Sequence, residues 1–193
     1  MDDRGASPRW ALDYPYEQPR RSYLQLGERT LELPRDLDLT DREPLLAYGA
    51  NASPLALTRK LAAFPESPLP MLRAHLGGFD VVYSNHVSPY GSIPGTLHPS
   101  PSTTVTAFVA YPDEQQLRAL TATEPNYELT TLRDLDCRLE LGDRVEQLAA
   151  YLSRHGPWRP DGAPVALAEL EATDRRFAQL TQRQVQGTVA RPR

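Results

Sequence analysis

Apolar positions recur in short runs separated by turn residues along most of this chain. Leu69–Leu76, Phe79–Asn85, Thr104–Tyr111, Tyr127–Arg133, Leu135–Leu141 and Val145–Leu152 each carry the composition of a strand. Within the third of these, Val105, Ala107 and Val109 alternate with Thr106, Phe108 and Ala110, a pattern that predicts burial on both faces. Upstream, Tyr23-Leu24-Gln25-Leu26 and Leu31-Glu32-Leu33 flank Gly27-Glu28-Arg29-Thr30 and predict a hairpin. Helical signals are fewer: Leu55–Leu61, Asp113–Glu124, and Thr173–Val189, where Phe177, Leu180 and Gln184 stand at i, i+3 and i+7. Many short strands with few helices predict an α+β fold, a small mixed β-barrel with helices packed outside. Residues 1–43, rich in Pro, Arg, Tyr and acidic residues, read as an N-terminal extension whose Trp10, Tyr14 and Tyr16 dock on a main domain at 44–193. Gly156–Gly162 is the clearest loop.

One junction in this pattern carries chemistry. The apolar run Leu45-Leu46-Ala47 ends at Tyr48-Gly49-Ala50-Asn51, and a helix is predicted to begin at once, with Ser53 as N-cap and Pro54 at the first helical position. Gly49 can take left-handed backbone angles and Asn51 tolerates them, so the turn can aim consecutive N–H groups at one point beside a positive helix end. That is an anion-holding geometry. An ordinary capped strand-to-helix connection has the same signature.

A second junction supplies an acid. In Asp113–Pro125, Leu117 and Leu120 mark one helical face, and Glu124 falls on it at i+7 and i+4, so its side chain is predicted to point inward. Pro125 disfavours helical geometry at the preceding residue, placing Glu124 at the helix C-terminus, where the macrodipole opposes a negative charge. A carboxyl in that setting is suited to proton exchange near neutral pH. The competing expectation is a partly exposed Glu on a frayed last turn.

Tyr48-Gly49-Ala50-Asn51 resembles the Tyr-Gly-Ser-Asn loop of the γ-glutamylcyclotransferase-like family, which follows that family's first barrel strand. Gly91-Ser92-Ile93-Pro94-Gly95-Thr96-Leu97-His98-Pro99 is similar to its middle segment, and Thr123-Glu124-Pro125-Asn126-Tyr127 falls where its acid/base Glu and a following Tyr are expected. The order and spacing agree over about residues 44–151. Ala50 stands where the family has Ser, Pro125 where a Gly often follows the Glu, and some forty residues precede the loop. The resemblance implies cyclisation of a γ-glutamyl amine or peptide to 5-oxoproline with release of the amine. It gives Glu124 the proton-shuttling role, the backbone of Tyr48, Gly49, Ala50 and Asn51 a grip on the α-carboxylate or the developing oxyanion, and Tyr127 an orienting role. Tyr83, Ser84 and Ser92 are further pocket candidates, and no metal or organic cofactor is implied. A non-catalytic binding module that retains the pocket is the alternative from a different class, and an acyl transferase or amidase acting on a related γ-glutamyl amide is a third.

Composition narrows the partners. With 21 Lys and Arg against 25 Asp and Glu, the net charge of −4 disfavours a general nucleic-acid or anionic-membrane surface and leaves a small γ-glutamyl-containing substrate as the expected partner. Cys137 is the single cysteine, so no internal disulfide can form, and its alternation with Leu135 and Leu139 predicts a buried thiol. No apolar run approaches a membrane span and Met1-Asp2-Asp3-Arg4 lacks a signal-peptide core, so a cytoplasmic location is expected. His75, His86, His98 and His155 have no close metal-ligand spacing, Ser92 lacks the glycines of a nucleophile elbow, and no phosphate-loop spacing occurs. Asp36–Glu43 lacks the glycine of a calcium loop and reads as a solvated edge; Arg20-Arg21 and Arg175-Arg176 are expected to be exposed.

Overall fold

The computed structural model describes residues 8–189. Helix α1 (Pro8–Leu12) leads into β1 (Tyr23–Leu26), β2 (Arg29–Leu31) and β3 (Leu45–Ala47), followed by a 3₁₀ turn (Gly49–Ala52) and α2 (Pro54–Lys60). Then come β4 (Leu69–Tyr83), β5 (Gly95–Ala110), α3 (Glu114–Ala122), β6 (Tyr127–Leu132), β7 (Cys137–Leu139) and β8 (Leu148–Ser153). The chain continues through β9 (Val165–Leu167), β10 (Ala172–Thr173), β11 (Ala178–Leu180) and α4 (Gln182–Val189). The result is a mixed α+β fold in which one large, mostly antiparallel sheet runs β11-β9-β4-β5-β3-β8-β6, with parallel pairing only at β11–β9 and β3–β8. No pairing joins β6 to β11 among the described residues.

The sheet's centre is the long pairing of β4 with β5, and it explains two differences from expectation. Leu69–Leu76 and Phe79–Asn85 are not two strands: β4 runs through both, and the Gly77-Gly78 break between them is a β-bulge, with Gly78 at φ +82° and the register shifting between Gly77 and Phe79. The Thr104–Tyr111 strand is only the second half of β5. Its first half passes through Pro99 and Pro101, which donate no ladder hydrogen bond and so conceal a strand from a composition reading. Where β5 was expected to be buried on both faces, it is: Val105, Ala107 and Val109 pack with Leu46 and Leu72 on one side, and Phe108 and Ala110 with Leu57, Met71 and Leu120 under α2 and α3 on the other.

The hairpin ahead of the sheet forms with its turn at Gly27-Glu28, two residues tighter than the sequence suggests, because Gly27 takes φ +55° at the first loop position. Its β1 arm pairs with β4. Trp10 stacks on Tyr16 at 4.1 Å, and Tyr14 and Tyr16 are buried in the main cluster, so this segment docks as expected. Met1–Arg4 lie outside the described residues.

The predicted terminal helix over Thr173–Val189 is replaced by β10, β11 and the shorter α4. Tertiary pairing decides this: Ala178–Leu180 bonds in parallel to Val165–Leu167, and Arg175 is drawn into the interior. Its Nε lies 3.2 Å from Asp80 Oδ1, with the two side chains 4% and 0% exposed, while Nη1 and Nη2 donate to the carbonyls of Leu167 and Leu170 at 2.9 and 2.8 Å. Arg175 is therefore not a surface charge, and burial holds the Asp80 carboxyl above its ordinary range against the pull of Arg175. Cys137 is fully buried, and no helix among the described residues is long and apolar enough to cross a membrane.

Candidate functional site

The site begins where β3 runs out. Tyr48 is extended (φ −132°, ψ 167°), Gly49 turns left-handed at φ +58°, and the chain makes the 3₁₀ turn Gly49–Ala52 before α2. Only Gly fits at position 49 for a second reason: an added Cβ would lie 2.3 Å from Tyr14 Oη. After this turn α2 starts at Pro54, the position the sequence suggests. Ser53 stands at the N-cap and its carbonyl accepts from the N–H groups of Ala56 and Leu57 at 3.1 and 3.0 Å, but its hydroxyl makes no cap bond and is buried without a partner.

The second half comes from α3. Asp113 and Gln116 close a reciprocal capping box at its start, Asp113 Oδ1 accepting from the Gln116 N–H at 2.8 Å and Gln116 Oε1 from the Asp113 N–H at 3.0 Å. The helix stops at Ala122, and Glu124 follows with its N–H donating to the Thr121 carbonyl at 3.0 Å. Its side chain turns inward to a cavity of about 430 Å³ that Tyr48, Ala50 and Asn51 also line. Asn51 Nδ2 donates to Glu124 Oε1 at 3.0 Å, across 73 positions of sequence.

A residue the sequence reading did not select completes the group. Lys60, at the end of α2, places Nζ 2.5 Å from Glu124 Oε1 and donates to Asn51 Oδ1 at 2.7 Å. The carboxyl is not left alone with the helix end, as the sequence suggests; it is paired. The signal for Lys60 was available in the periodicity, because it follows the buried Ala56 and Leu57 by four and three positions and so shares their inward edge. Glu124 and Lys60 remain 13% and 18% exposed, and Glu124 Oε2 has no hydrogen-bond partner among the described residues.

Hydroxyls form most of the remaining polar wall. Tyr14 Oη accepts from the Gly95 N–H and Tyr127 Oη donates to the Gly95 carbonyl, both at 2.8 Å, so Gly95 is pinned between two cavity-lining tyrosines. Tyr48 Oη accepts from the Leu97 N–H at 3.3 Å and donates to the Tyr151 carbonyl. Burial raises the Tyr14, Tyr48 and Tyr127 hydroxyls well above the ordinary tyrosine range, so at neutral pH they are hydrogen-bond donors. Burial lowers His86, which also lines the cavity and shares its Nδ1 with Ser84 Oγ at 2.8 Å. Near neutral pH the His86 ring is accordingly neutral and able to accept a proton.

Four expected residues stand apart, and one of them, Ser84, is fully buried and reaches the cavity only through its bond to His86. Gly49 is behind the wall, against Tyr14, with its carbonyl accepting from Gln18 Nε2 at 3.0 Å. Ser92 is buried beneath the loop with its Oγ 2.8 Å from Ser88 Oγ, and it is Ser88, Pro89 and Tyr90 that reach the cavity. Tyr83 is a core residue whose hydroxyl donates to the Leu180 carbonyl at 2.9 Å, bracing β11.

No protein-family model and no curated protein matches this chain. Among solved structures it is similar to the solution structure of At5g39720.1 from Arabidopsis thaliana, at 20% identity and a TM-score of 0.48 over 65% of this chain and 77% of that one. It is also similar to the solution structure of At3g28950.1 from Arabidopsis thaliana, at 18% identity and a TM-score of 0.43 over 66% and 74%. At this overlap, the functional reading rests on the cavity's own geometry.

Proposed function

We propose that this protein is a γ-glutamylcyclotransferase-like enzyme that cyclises a γ-glutamyl amine or peptide to 5-oxoproline, with its large sheet standing where that family has its barrel. One observation carries the reading: Glu124 and Asn51, 73 positions apart in sequence, meet at 3.0 Å on the cavity wall beside the Tyr48–Asn51 turn. The substrate's α-amine nitrogen attacks its own γ-carbonyl carbon, closing the lactam. The bond from that carbon to the leaving nitrogen then breaks. On becoming the lactam N–H the α-ammonium loses two protons; Glu124 takes them one at a time and passes them to the leaving nitrogen, which departs as an ammonium, while the leading N–H groups of the turn receive the charge that develops on the carbonyl oxygen. Folding the γ-glutamyl chain so that amine and carbonyl touch is orientation catalysis, and a cavity of about 430 Å³ suits a ligand of that size. The tyrosine hydroxyls hold the amide in place without competing for the proton, and a reducing cytoplasm is the compartment that suits a lone buried thiol.

The test is direct. The protein is incubated with γ-glutamyl amines, γ-glutamyl dipeptides and glutathione, and 5-oxoproline is measured together with the released amine. Equimolar appearance of both from at least one substrate supports the enzyme; none across the panel ends it.

The short Lys60–Glu124 pair favours a second reading, a binding module without turnover, because the ammonium and Asn51 already occupy the carboxylate's Oε1. That reading calls for γ-glutamyl ligands to bind and remain intact.

A further inference from the structure

Lys60 has a role that the proton shuttle does not use. Its ammonium reaches the cavity beside the carboxylate, and the neighbouring cation on α2 is turned away: the Arg59 guanidinium lies 3.8 Å over the Trp10 ring. His86 is the remaining titratable cation on the wall, and burial disfavours its charged form. Among the described residues, a ligand carrying a carboxylate into this cavity therefore meets one fixed positive charge, at Lys60. It meets one fixed negative charge, at Glu124, in the same place. Asn51 ties the two together, its Oδ1 accepting from Lys60 and its Nδ2 donating to Glu124, so the three side chains form a small dipolar unit on the wall.

We propose that Lys60 is a specificity-determining residue: with Glu124 it forms a clamp for a zwitterionic α-amino acid head group, Lys60 receiving the ligand's α-carboxylate as Glu124 receives its α-ammonium. The inference rests on the γ-glutamyl reading for the choice of ligand, and its physical basis is charge balance. Docking a zwitterion exchanges one internal ion pair for two ion pairs with the ligand, so no charge is left uncompensated in a partly desolvated site. An amine lacking the carboxylate would take Glu124 and leave Lys60 unpaired; an N-acylated acid would do the reverse. Each loses affinity for that reason, whatever its fit elsewhere. The clamp also accounts for the resting pair, which keeps both charges neutralised when the cavity holds solvent.

L-methionine sulfone is a suitable probe, since its sulfonyl group stands near the position of a γ-carbonyl and it cannot cyclise; 3-(methylsulfonyl)propan-1-amine is the same molecule without the carboxylate. Calorimetry on the full chain measures both with wild type, K60M and K60R. The expected result is a preference for the zwitterion of at least about tenfold in wild type, a ratio within about twofold in K60M, and most of the preference retained in K60R. Circular-dichroism melting establishes that each variant is folded, and K60Q replaces K60M if the latter is not. A wild type that does not prefer the zwitterion overturns the clamp, as does a folded K60M or K60Q that keeps the wild-type ratio. The enzyme reading fails separately: a clamp that behaves as described with no 5-oxoproline from any γ-glutamyl substrate leaves the head-group site standing and removes the cyclisation, whereas 5-oxoproline formation with an unchanged ratio in K60M does the opposite.

Discussion

Lys60 Nζ lies 2.5 Å from Glu124 Oε1, although the two residues are 64 positions apart in the chain. The contact joins the end of α2 to the turn between α3 and β6, and Asn51 braces it from the side by bonding to both partners. Two helices that share an apolar cluster beneath the sheet are thus also tied by a polar contact at the cavity, where neither partner is fully withdrawn from water.

That arrangement makes the two charges interdependent. Lys60→Met leaves Glu124 without its counter-ion, and because both groups keep some solvent the cost is expected to be about 1–3 kcal/mol, below that of breaking a fully buried pair. The K60M/E124Q double variant removes the stranded charge and should recover part of that loss. Urea unfolding of the four proteins gives the coupling; strictly additive losses would show that the pair does not act as a unit.

Gly49 is expected to be irreplaceable on two separable grounds. Gly49→Ala must hold φ near +58°, a cost of roughly 1–2 kcal/mol for a residue with a side chain, and its Cβ also overlaps Tyr14 Oη at 2.3 Å. In a Tyr14→Phe background the hydroxyl is gone and the nearest ring carbon is at 3.2 Å, so G49A should cost less there than in wild type. Tyr14→Phe has its own cost, about 1–3 kcal/mol, for leaving the Gly95 N–H unpaired. Equal G49A penalties in both backgrounds would place the strain in the backbone alone.

Ser53 separates a sequence signature from its structural outcome. A working Ser N-cap contributes about 1 kcal/mol, but this hydroxyl makes no cap bond and is buried without a partner. Ser53→Ala is therefore expected to leave the melting temperature unchanged or to raise it, since the substitution removes an unsatisfied polar group. A loss of the size that a helix cap supplies would contradict the geometry.

These cases mark what local sequence can convey. Glu124 was legible because helical periodicity and Pro125 act within one turn of the residue, and the Tyr48–Asn51 turn because Gly49 punctuates a strand. What local pattern cannot carry is the partner that competes for a segment. Thr173–Val189 has a helical spacing, yet Asp80 and the β9 edge, both remote in sequence, draw Arg175 and Ala178–Leu180 out of any helix. Tyr83 reads as a pocket residue until β11 is seen to accept its hydroxyl proton. Ser53 stands where a cap is expected, yet its hydroxyl is buried without a partner and makes no cap bond. Lys60 lies between these extremes, legible from the face it shares with Ala56 and Leu57 but easily taken for a solvated helix end.

Cys137 gives the fold a defined pH dependence. Burial pushes its thiol from 9.0 up to about 11. In the window between those values the folded protein keeps a proton that the unfolded chain releases, so the contribution of Cys137 is fully present below about pH 9 and is lost as pH rises toward 11. The stability difference between wild type and Cys137→Ala should shrink over that window by on the order of 2 kcal/mol, as read from urea unfolding at pH 8, 9, 10 and 11. Using the difference cancels the buried tyrosines Tyr23 and Tyr83, whose raised hydroxyls steepen the loss above their ordinary range in both proteins. A constant difference would show that the thiol does not remain protonated in the folded state.

The measurement closest to the central claim is the rate of 5-oxoproline formation by Glu124→Gln beside wild type, on the best γ-glutamyl substrate of the panel. Gln keeps the volume of the side chain and its hydrogen-bonding reach to Asn51 and Lys60 but cannot take up and pass on a proton. The variant is expected to fold and to bind ligand while its turnover falls at least about a hundredfold, the usual contribution of a positioned acid/base group. A folded E124Q that retains more than about a tenth of the wild-type rate would contradict the assignment of Glu124 as the proton shuttle.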